Sequence, residues 1–183
     1  MKQQLASPAS ATAAKVSAVN PMRSIFIEKV VLSAGATAEA LVKARKLLEF
    51  LTKRKAQVIA TRKRIPDFDV SPGLEVGTRV TLRGNAALEM LRRLLGAVEN
   101  TLSRKQVADN HLSFGIHEYI EIPEVEYQRD IGIRGFNTDI VFARAGLRIK
   151  RKKIKAGSVP KKQYVSRDEI IKFMEENFKT QFK

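Results

Sequence analysis

The sequence contains no cysteine. Disulfides, thiolate zinc sites, iron–sulfur clusters and cysteine nucleophiles are therefore excluded. Tryptophan is absent too, and the two histidines, His111 and His117, stand six apart. That spacing does not bring two ligands onto one helical face, and no carboxylate is evidently placed to orient either ring. No apolar run reaches the ~18 residues of a membrane span, so no membrane partner is expected. The first twenty residues lack the apolar stretch of a secretory signal. No glycine-rich loop ends in Gly-Lys-Ser/Thr, and no dinucleotide-binding fingerprint is present. No metal site and no cofactor are expected.

Acid is also missing where base is densest. The net charge is +15. Residues 53–64 hold Lys53, Arg54, Lys55, Arg62, Lys63 and Arg64 without an acid. Residues 144–162 hold Arg144, Arg148, Lys150, Arg151, Lys152, Lys153, Lys155, Lys161 and Lys162, again without one. These fifteen residues account for the whole excess, because the other 19 basic residues match 19 acidic ones. A solvated surface usually mixes its signs. Two acid-free segments on a neutral body indicate contact with a polyanion. Lys and Arg release counterions from phosphates without reading sequence, so charge alone leaves RNA and DNA both open.

Residues 1–19 are rich in Ala and Ser without amphipathic period and read as a flexible tail. Residues 20–183 read as one domain that includes the basic segment and a C-terminal helix. Residues 25–32 are β-branched and apolar enough for a strand, with a small-residue turn at 33–37. Residues 38–52 carry Leu41, Ala44, Leu48 and Leu51 at helical spacing, with Thr37 as cap. A short strand over 57–61 precedes a long exposed loop, 62–75. In the strand 76–83, Val76, Thr78, Val80 and Leu82 share one face, and Gly77, Arg79, Thr81 and Arg83 the other. Asn85 is expected to cap a second helix with Leu88, Leu91, Leu95 and Val98 inside. Short strands are expected at 112–116 and 119–122, then a loop, then an alternating strand at 136–142. Ser166-Arg167-Asp168-Glu169 is a capping box opening the last helix. The pattern predicts an α+β fold: a largely antiparallel sheet with helices packed on one face, plus basic extensions.

Two short RNA-module signatures fall in one place. Gly132-Ile133-Arg134-Gly135 matches the bare Gly-x-x-Gly of a KH loop, but that loop joins two helices and a strand-like run follows here. Arg134-Gly135-Phe136 opens like the first RNP strand of an RRM, and Asn137-Thr138-Asp139 breaks the pattern. Arg134 remains a candidate RNA contact. The acidic stretch Glu118, Glu121, Glu124, Glu126 and Asp130 is irregularly spaced and interrupted by Pro123, which suits a solvated face better than a paired-carboxylate magnesium site.

A family resemblance runs through the ordered part of the chain. Asn20-Pro21-Met22-Arg23 and Ile27-Glu28-Lys29-Val30-Val31 resemble the start of the large-subunit ribosomal protein family called L five, whose eukaryotic counterpart is numbered eleven. The resemblance continues through Lys46-Leu47-Leu48-Glu49, Ile65-Pro66-Asp67-Phe68 and Gly77-Thr78-Arg79-Val80-Thr81-Leu82-Arg83-Gly84. It extends to Ser113-Phe114-Gly115-Ile116-His117-Glu118, Ile131-Gly132-Ile133 and Gly135-Phe136-Asn137. The basic segment followed by Val165-Ser166-Arg167-Asp168-Glu169 is similar to the archaeal and eukaryotic branch. After the first strand the family usually reads Asn-Ile-Gly-Val-Gly, where this chain has Ser33-Ala34-Gly35-Ala36-Thr37.

The resemblance implies a non-enzymatic protein of the central protuberance that binds 5S ribosomal RNA and adjoining large-subunit ribosomal RNA. It implies neighbouring ribosomal proteins, a small-subunit bridge protein and the P-site tRNA as further partners, in the cytoplasm. By position, Ser33, Phe68, Thr81 and Arg83 are the RNA-facing candidates. The loop from Arg62 to Val76 is expected to approach the tRNA with its tip at Val70, Ser71, Pro72, Gly73 and Leu74. The basic segment is expected to thread into ribosomal RNA and to be ordered by phosphates. Two other readings stay in view. One is a general RNA or DNA chaperone outside the ribosome. The other is a metal-dependent RNA-processing enzyme using Glu118, Glu121 and Asp130.

Overall fold

The computed structural model describes residues 20–183. The tail expected at 1–19 lies outside the described residues. Twelve elements follow in order: β1 (Ile25–Gly35), α1 (Ala38–Thr52), β2 (Gln57–Ala60), β3 (Glu75–Leu82), α2 (Asn85–Ala97), β4 (Thr101–Leu102), β5 (Val107–Ala108), β6 (His111–Ile116), β7 (Phe136–Arg144), the single turn α3 (Arg148–Arg151), α4 (Arg167–Phe178) and β8 (Gln181–Phe182). Six strands form one sheet in the order β2-β3-β1-β7-β6-β5, and every pairing in it is antiparallel.

β1 is central and runs to Gly35, so the turn expected at 33–37 is instead mostly strand. Ser33 pairs with both β3 and β7, and Ala34 with β3, which overrides their weak strand propensity. Its apolar residues change phase. Ile25 and Ile27 pack on the core, and so do Val30, Leu32 and Ala34. Period-two alternation cannot put both sets on one face. A β-bulge resolves this, because Ile27 pairs with Phe142 and Lys29 with the adjacent Val141, leaving Glu28 as the extra residue.

α1, α2 and α4 share one hydrophobic cluster with the inner face of this sheet. In α1 the expected stripe is buried, with Leu47 added. Thr37 occupies the N-cap position but makes no side-chain cap bond. α2 differs more. Its N-cap is Gly84, at φ 65° and ψ −145°, a region essentially reserved for glycine. Asn85 is therefore the first helical residue and not the cap. The buried face is Ala87, Met90, Leu91, Leu94 and Leu95, while Leu88 is exposed. In α4 the capping box forms, with the Glu169 carboxylate accepting from Ser166 N–H at 3.0 Å. Phe173 of α4 meets Phe142 of β7 edge-on, with centroids 5.8 Å apart.

Residues 119–122 are not a strand. Tyr119–Glu121 is a 3-10 turn, with Tyr119 fully buried and its hydroxyl accepting from Gln128 N–H at 2.8 Å. The C-terminus folds back as well. β8 pairs parallel with β4, and Lys183 N–H donates to Leu102 C=O at 2.9 Å.

Candidate nucleic-acid interface

Helices cover one face of the sheet, and the other face presents its side chains outward. Strand register places Gln57, Arg79, Ser33, Asn137 and Gly115 in one row across five strands. A second row reads Thr81, Val31, Asp139 and Ser113. A third reads Lys29, Val141 and His111. The core side of the same strands carries Thr78, Val80, Leu82, Val30, Leu32, Thr138 and Ile140, all buried. The alternation expected for β3 and β7 is therefore observed, and it divides a closed face from a polar open one.

The open face is partly pre-organised. Arg79 Nε donates to Gln57 Oε1 at 3.1 Å, which holds the guanidinium over β2 with its remaining N–H groups outward. Ser113 Oγ donates to Asp139 Oδ1 at 2.7 Å. Ser33 and Thr81 are half-buried between their neighbours, and Arg79 and Arg83 are exposed. Two hollows lie at the end of β1. One, of about 320 Å³, is bordered by Ser33, Gly115, His117 and Asn137. The other, of about 500 Å³, lies between Gly35, Ala36 and Thr37 on one side and Ile65, Phe68 and Val70 on the other.

The loop between β2 and β3 forms the outer wall of that second hollow. Thr61 N–H donates to Leu74 C=O and Gly73 N–H to Thr61 C=O, both at 2.9 Å. Further out, Ile65 and Val70 exchange both backbone hydrogen bonds, at 2.9 and 3.1 Å. The chain therefore turns at Pro66–Phe68 and Asp69, and that is the tip of the loop. Val70 is buried, and Ser71, Pro72, Gly73 and Leu74 lie on the returning arm. The tip expected at 70–74 is thus displaced by this bridge. Phe68 sits at the apex, 77% exposed, with Arg62, Lys63 and Arg64 exposed on the outgoing arm.

The basic segment 144–162 is not a free tail. Gln163 Nε2 donates to Ala145 C=O at 2.7 Å and Arg144 to Lys162 C=O at 3.3 Å, which ties the two ends together. Gly157 N–H donates to Ile149 C=O at 3.3 Å across the middle. The resulting loop carries Arg148, Lys150, Arg151, Lys152, Lys153, Lys155, Lys161 and Lys162 on exposed positions. It borders the open face, because Leu147, Lys150 and Arg151 line a hollow with Glu28 and Val141.

Arg134 is half-buried, and its carbonyl accepts from Tyr119 N–H at 3.1 Å. Gly135 is common to both RNA-module signatures, but its place in the fold gives it a backbone role. A Cβ there would lie 2.5 Å from Ile116 O and 2.6 Å from His117 O, so the glycine serves a close backbone approach. Glu118, Glu121, Glu124, Glu126 and Asp130 are exposed. Among the described residues, no three His, Asp or Glu side chains form a group that could hold a metal ion. Also among them, no helix is long and apolar enough to cross a membrane.

Sequence reasoning missed Gln57, Asn137 and Gly115 as members of the open-face row. The signal was present, since the alternation of Phe136, Thr138 and Ile140 leaves Asn137 outward. It also missed Glu28 and Glu169 as partners for the basic loop.

Residues 75–173 match the family model described as the ribosomal L5P family C-terminus. The chain is 35% identical over 158 residues to the large ribosomal subunit protein uL5 of Archaeoglobus fulgidus, covering 85% of this chain and 89% of that protein. It is 38% identical to the uL5 protein of Picrophilus torridus, covering 87% of this chain and 93% of that one. Against the uL5 protein of Sulfurisphaera tokodaii the identity is 36%, over 90% and 96% of the two chains.

Proposed function

The chain belongs to the ribosomal L5P family, and from that premise we propose that it is a structural component of the large ribosomal subunit. It works in the cytoplasm as part of the ribosome and is not an enzyme. Its partners are ribosomal RNA and neighbouring ribosomal proteins. In the finer reading it binds 5S ribosomal RNA and adjoining large-subunit RNA in the central protuberance.

The observation that carries this reading is the open face of the sheet. The row Gln57, Arg79, Ser33, Asn137 and Gly115 offers directed donors and acceptors on a rigid scaffold. The two acid-free basic segments flank it. Phosphate contacts give affinity, while fixed polar groups and an exposed aromatic ring read shape and unstacked bases. Arg62, Lys63, Arg64, Arg83 and the basic loop suit the first task. Ser33, Thr81, Arg79, Arg134 and Phe68 suit the second. The hollow of about 500 Å³ between Phe68 and the end of β1 has the ring in its wall, which suits it to an unstacked base.

The loop apex at Phe68, rather than the returning arm 70–74, is then the part that reaches toward P-site tRNA. The exposed acidic stretch 118–130 is the surface chemically suited to a basic small-subunit bridge protein.

The test is binding of the purified chain to 5S ribosomal RNA and to a length-matched structured RNA at two salt concentrations. A tenfold preference for 5S RNA that survives the higher salt supports the reading. Equal binding that collapses with salt favours a general RNA or DNA chaperone. Magnesium-dependent cleavage abolished by Glu121→Gln would revive the processing-enzyme alternative.

A further inference from the structure

The nine cations of residues 144–162 are not equivalent. Arg144 has only 12% of its side chain exposed and donates to Glu169 Oε1 at 2.5 Å. Arg151 is ion-paired with Glu28, whose side chain is 12% exposed. The other seven cations of the segment have no carboxylate within ion-pair reach among the described residues.

Glu28 occupies its position because of the bulge in β1. An extra residue in a strand re-aims its side chain. Here it brings a carboxylate to the border of the sheet beneath the basic loop, in hollows lined by Phe26, Ala143, Leu147 and Arg151. Its Oε1 is buried and has no hydrogen bond of good geometry, so Arg151 is its charge partner. Removing one member of a pair leaves the other charge uncompensated where water is scarce, which is costly. Arg151 is therefore a poor donor to RNA phosphate, because a move to RNA strands Glu28. Arg148, Lys150, Lys152 and Lys153 carry no such penalty.

We propose that Arg151 and Arg144 are positioning residues that dock the basic loop on the body through Glu28 and Glu169. The phosphate-contacting set is then the remaining seven cations. Glu28 is the less obvious member, an acid whose task is to present a basic surface. The two anchors sit at different points of the loop. Arg144–Glu169 fixes its root to α4, and Arg151–Glu28 fixes its first turn to the sheet. The inference rests on the RNA reading above and deepens it.

The experiment measures the salt dependence of binding to 5S ribosomal RNA for the full chain and three double variants. Each phosphate contact contributes about 0.7–0.9 to the slope of log K against log salt. Lys150→Met with Lys152→Met is expected to lower the slope by about 1.4–1.8. Glu28→Gln with Arg151→Met removes no net charge and is expected to leave the slope unchanged. So is Glu169→Gln with Arg144→Met, where Gln retains the capping-box acceptor. In the Glu28→Gln/Arg151→Met protein, amide exchange at Gly157 is expected to quicken, because the loop's mid-chain bond is then less supported. A fall of about 0.7–0.9 in that variant would mean that Arg151 itself sat on a phosphate, and would overturn the proposal. An unchanged slope in the lysine variant would overturn the phosphate role of the segment altogether, a separate failure with a separate signature.

Discussion

Replacing Gly135 with alanine tests whether the join between β6 and β7 is as tight as the structure has it. The new Cβ would lie 2.5 Å from Ile116 O, 2.6 Å from His117 O and 3.1 Å from His117 C. A carbon meets a carbonyl oxygen comfortably at about 3.3 Å, so each oxygen must retreat by about 0.7 Å. Both are backbone atoms, and no side-chain rotation relieves them. The next residue, Phe136, pairs with Ile116, and Tyr119 N–H donates to Arg134 C=O at 3.1 Å. Opening the gap therefore loosens the first rung of the ladder and that hydrogen bond. Overpacking costs about 1–3 kcal/mol and a lost hydrogen bond about 1 kcal/mol, so Gly135→Ala should cost about 3 kcal/mol. With a urea m-value of roughly 2 kcal/mol/M, the midpoint should fall by about 1.5 M. Gly132→Ala is the control. Its φ is +70° but no atom lies within 4 Å of the added methyl. It should cost only about 1–2 kcal/mol, the strain of a left-handed alanine. A Gly135→Ala midpoint within about 0.3 M of the parent, with an unchanged m-value, refutes the reasoning. So does a larger loss at Gly132.

Phe68→Ala should leave the urea midpoint unchanged, because the ring is 77% exposed, while weakening RNA binding by about 1–3 kcal/mol if a base stacks there. Equal RNA affinity would remove the aromatic apex from the interface. Arg79→Met should cost affinity for 5S RNA more than for an unrelated RNA, because the Gln57 bond aims the guanidinium; equal losses on both RNAs would reduce it to a phosphate contact. Leu94→Ala, at a fully buried site, should cost about 2–5 kcal/mol in the same unfolding assay. Acid should destabilise the fold through Glu49 and Glu169. The Ala56 N–H and then the Arg45 guanidinium hold Glu49 below the usual glutamate range. Burial raises Glu169, but the Ser166 N–H and Arg144 outweigh it and leave it lowered. A carboxylate lowered by folding gives stability above the unfolded value of about 4.3, and loses it as pH falls through the folded value. Glu49→Gln should flatten the stability profile below about pH 4.3, as followed by circular dichroism.

The fold was legible wherever burial has a period. The stripe of α1 and the alternation of β3 and β7 are direct consequences of a core on one side, and they predicted both element and face. The failures have local causes. Ser33 and Ala34 lack strand propensity, and only pairing with β3, joined at Ser33 by β7, makes them strand, a fact outside their own neighbourhood. Asn85 is a good capping residue, yet the chain enters α2 at a φ and ψ that only glycine tolerates, so Gly84 takes the position. The buried face of α2 also differs from the expected stripe, with Ala87, Met90 and Leu94 inside and Leu88 exposed. Residues 119–122 have the composition of a strand, but Tyr119 is buried as a single anchor and the chain turns around it.

The candidate site was legible as charge and only partly as geometry. Acid-free runs mark a candidate polyanion surface in composition, because counterion release depends on the number of cations near phosphates. Which cations are free depends on where the acids of distant elements fall. Glu28 is 123 positions from Arg151 in the chain, and Glu169 is 25 from Arg144. The phase change between Ile27 and Val30 was nevertheless a readable sign. Two apolar pairs out of step within one strand require an extra residue between them, and the only residues there are Glu28 and Lys29. Such a residue leaves the ladder and turns its side chain out of register. When it is an acid in a chain whose excess base lies elsewhere, it is the natural place to look for what holds the base down.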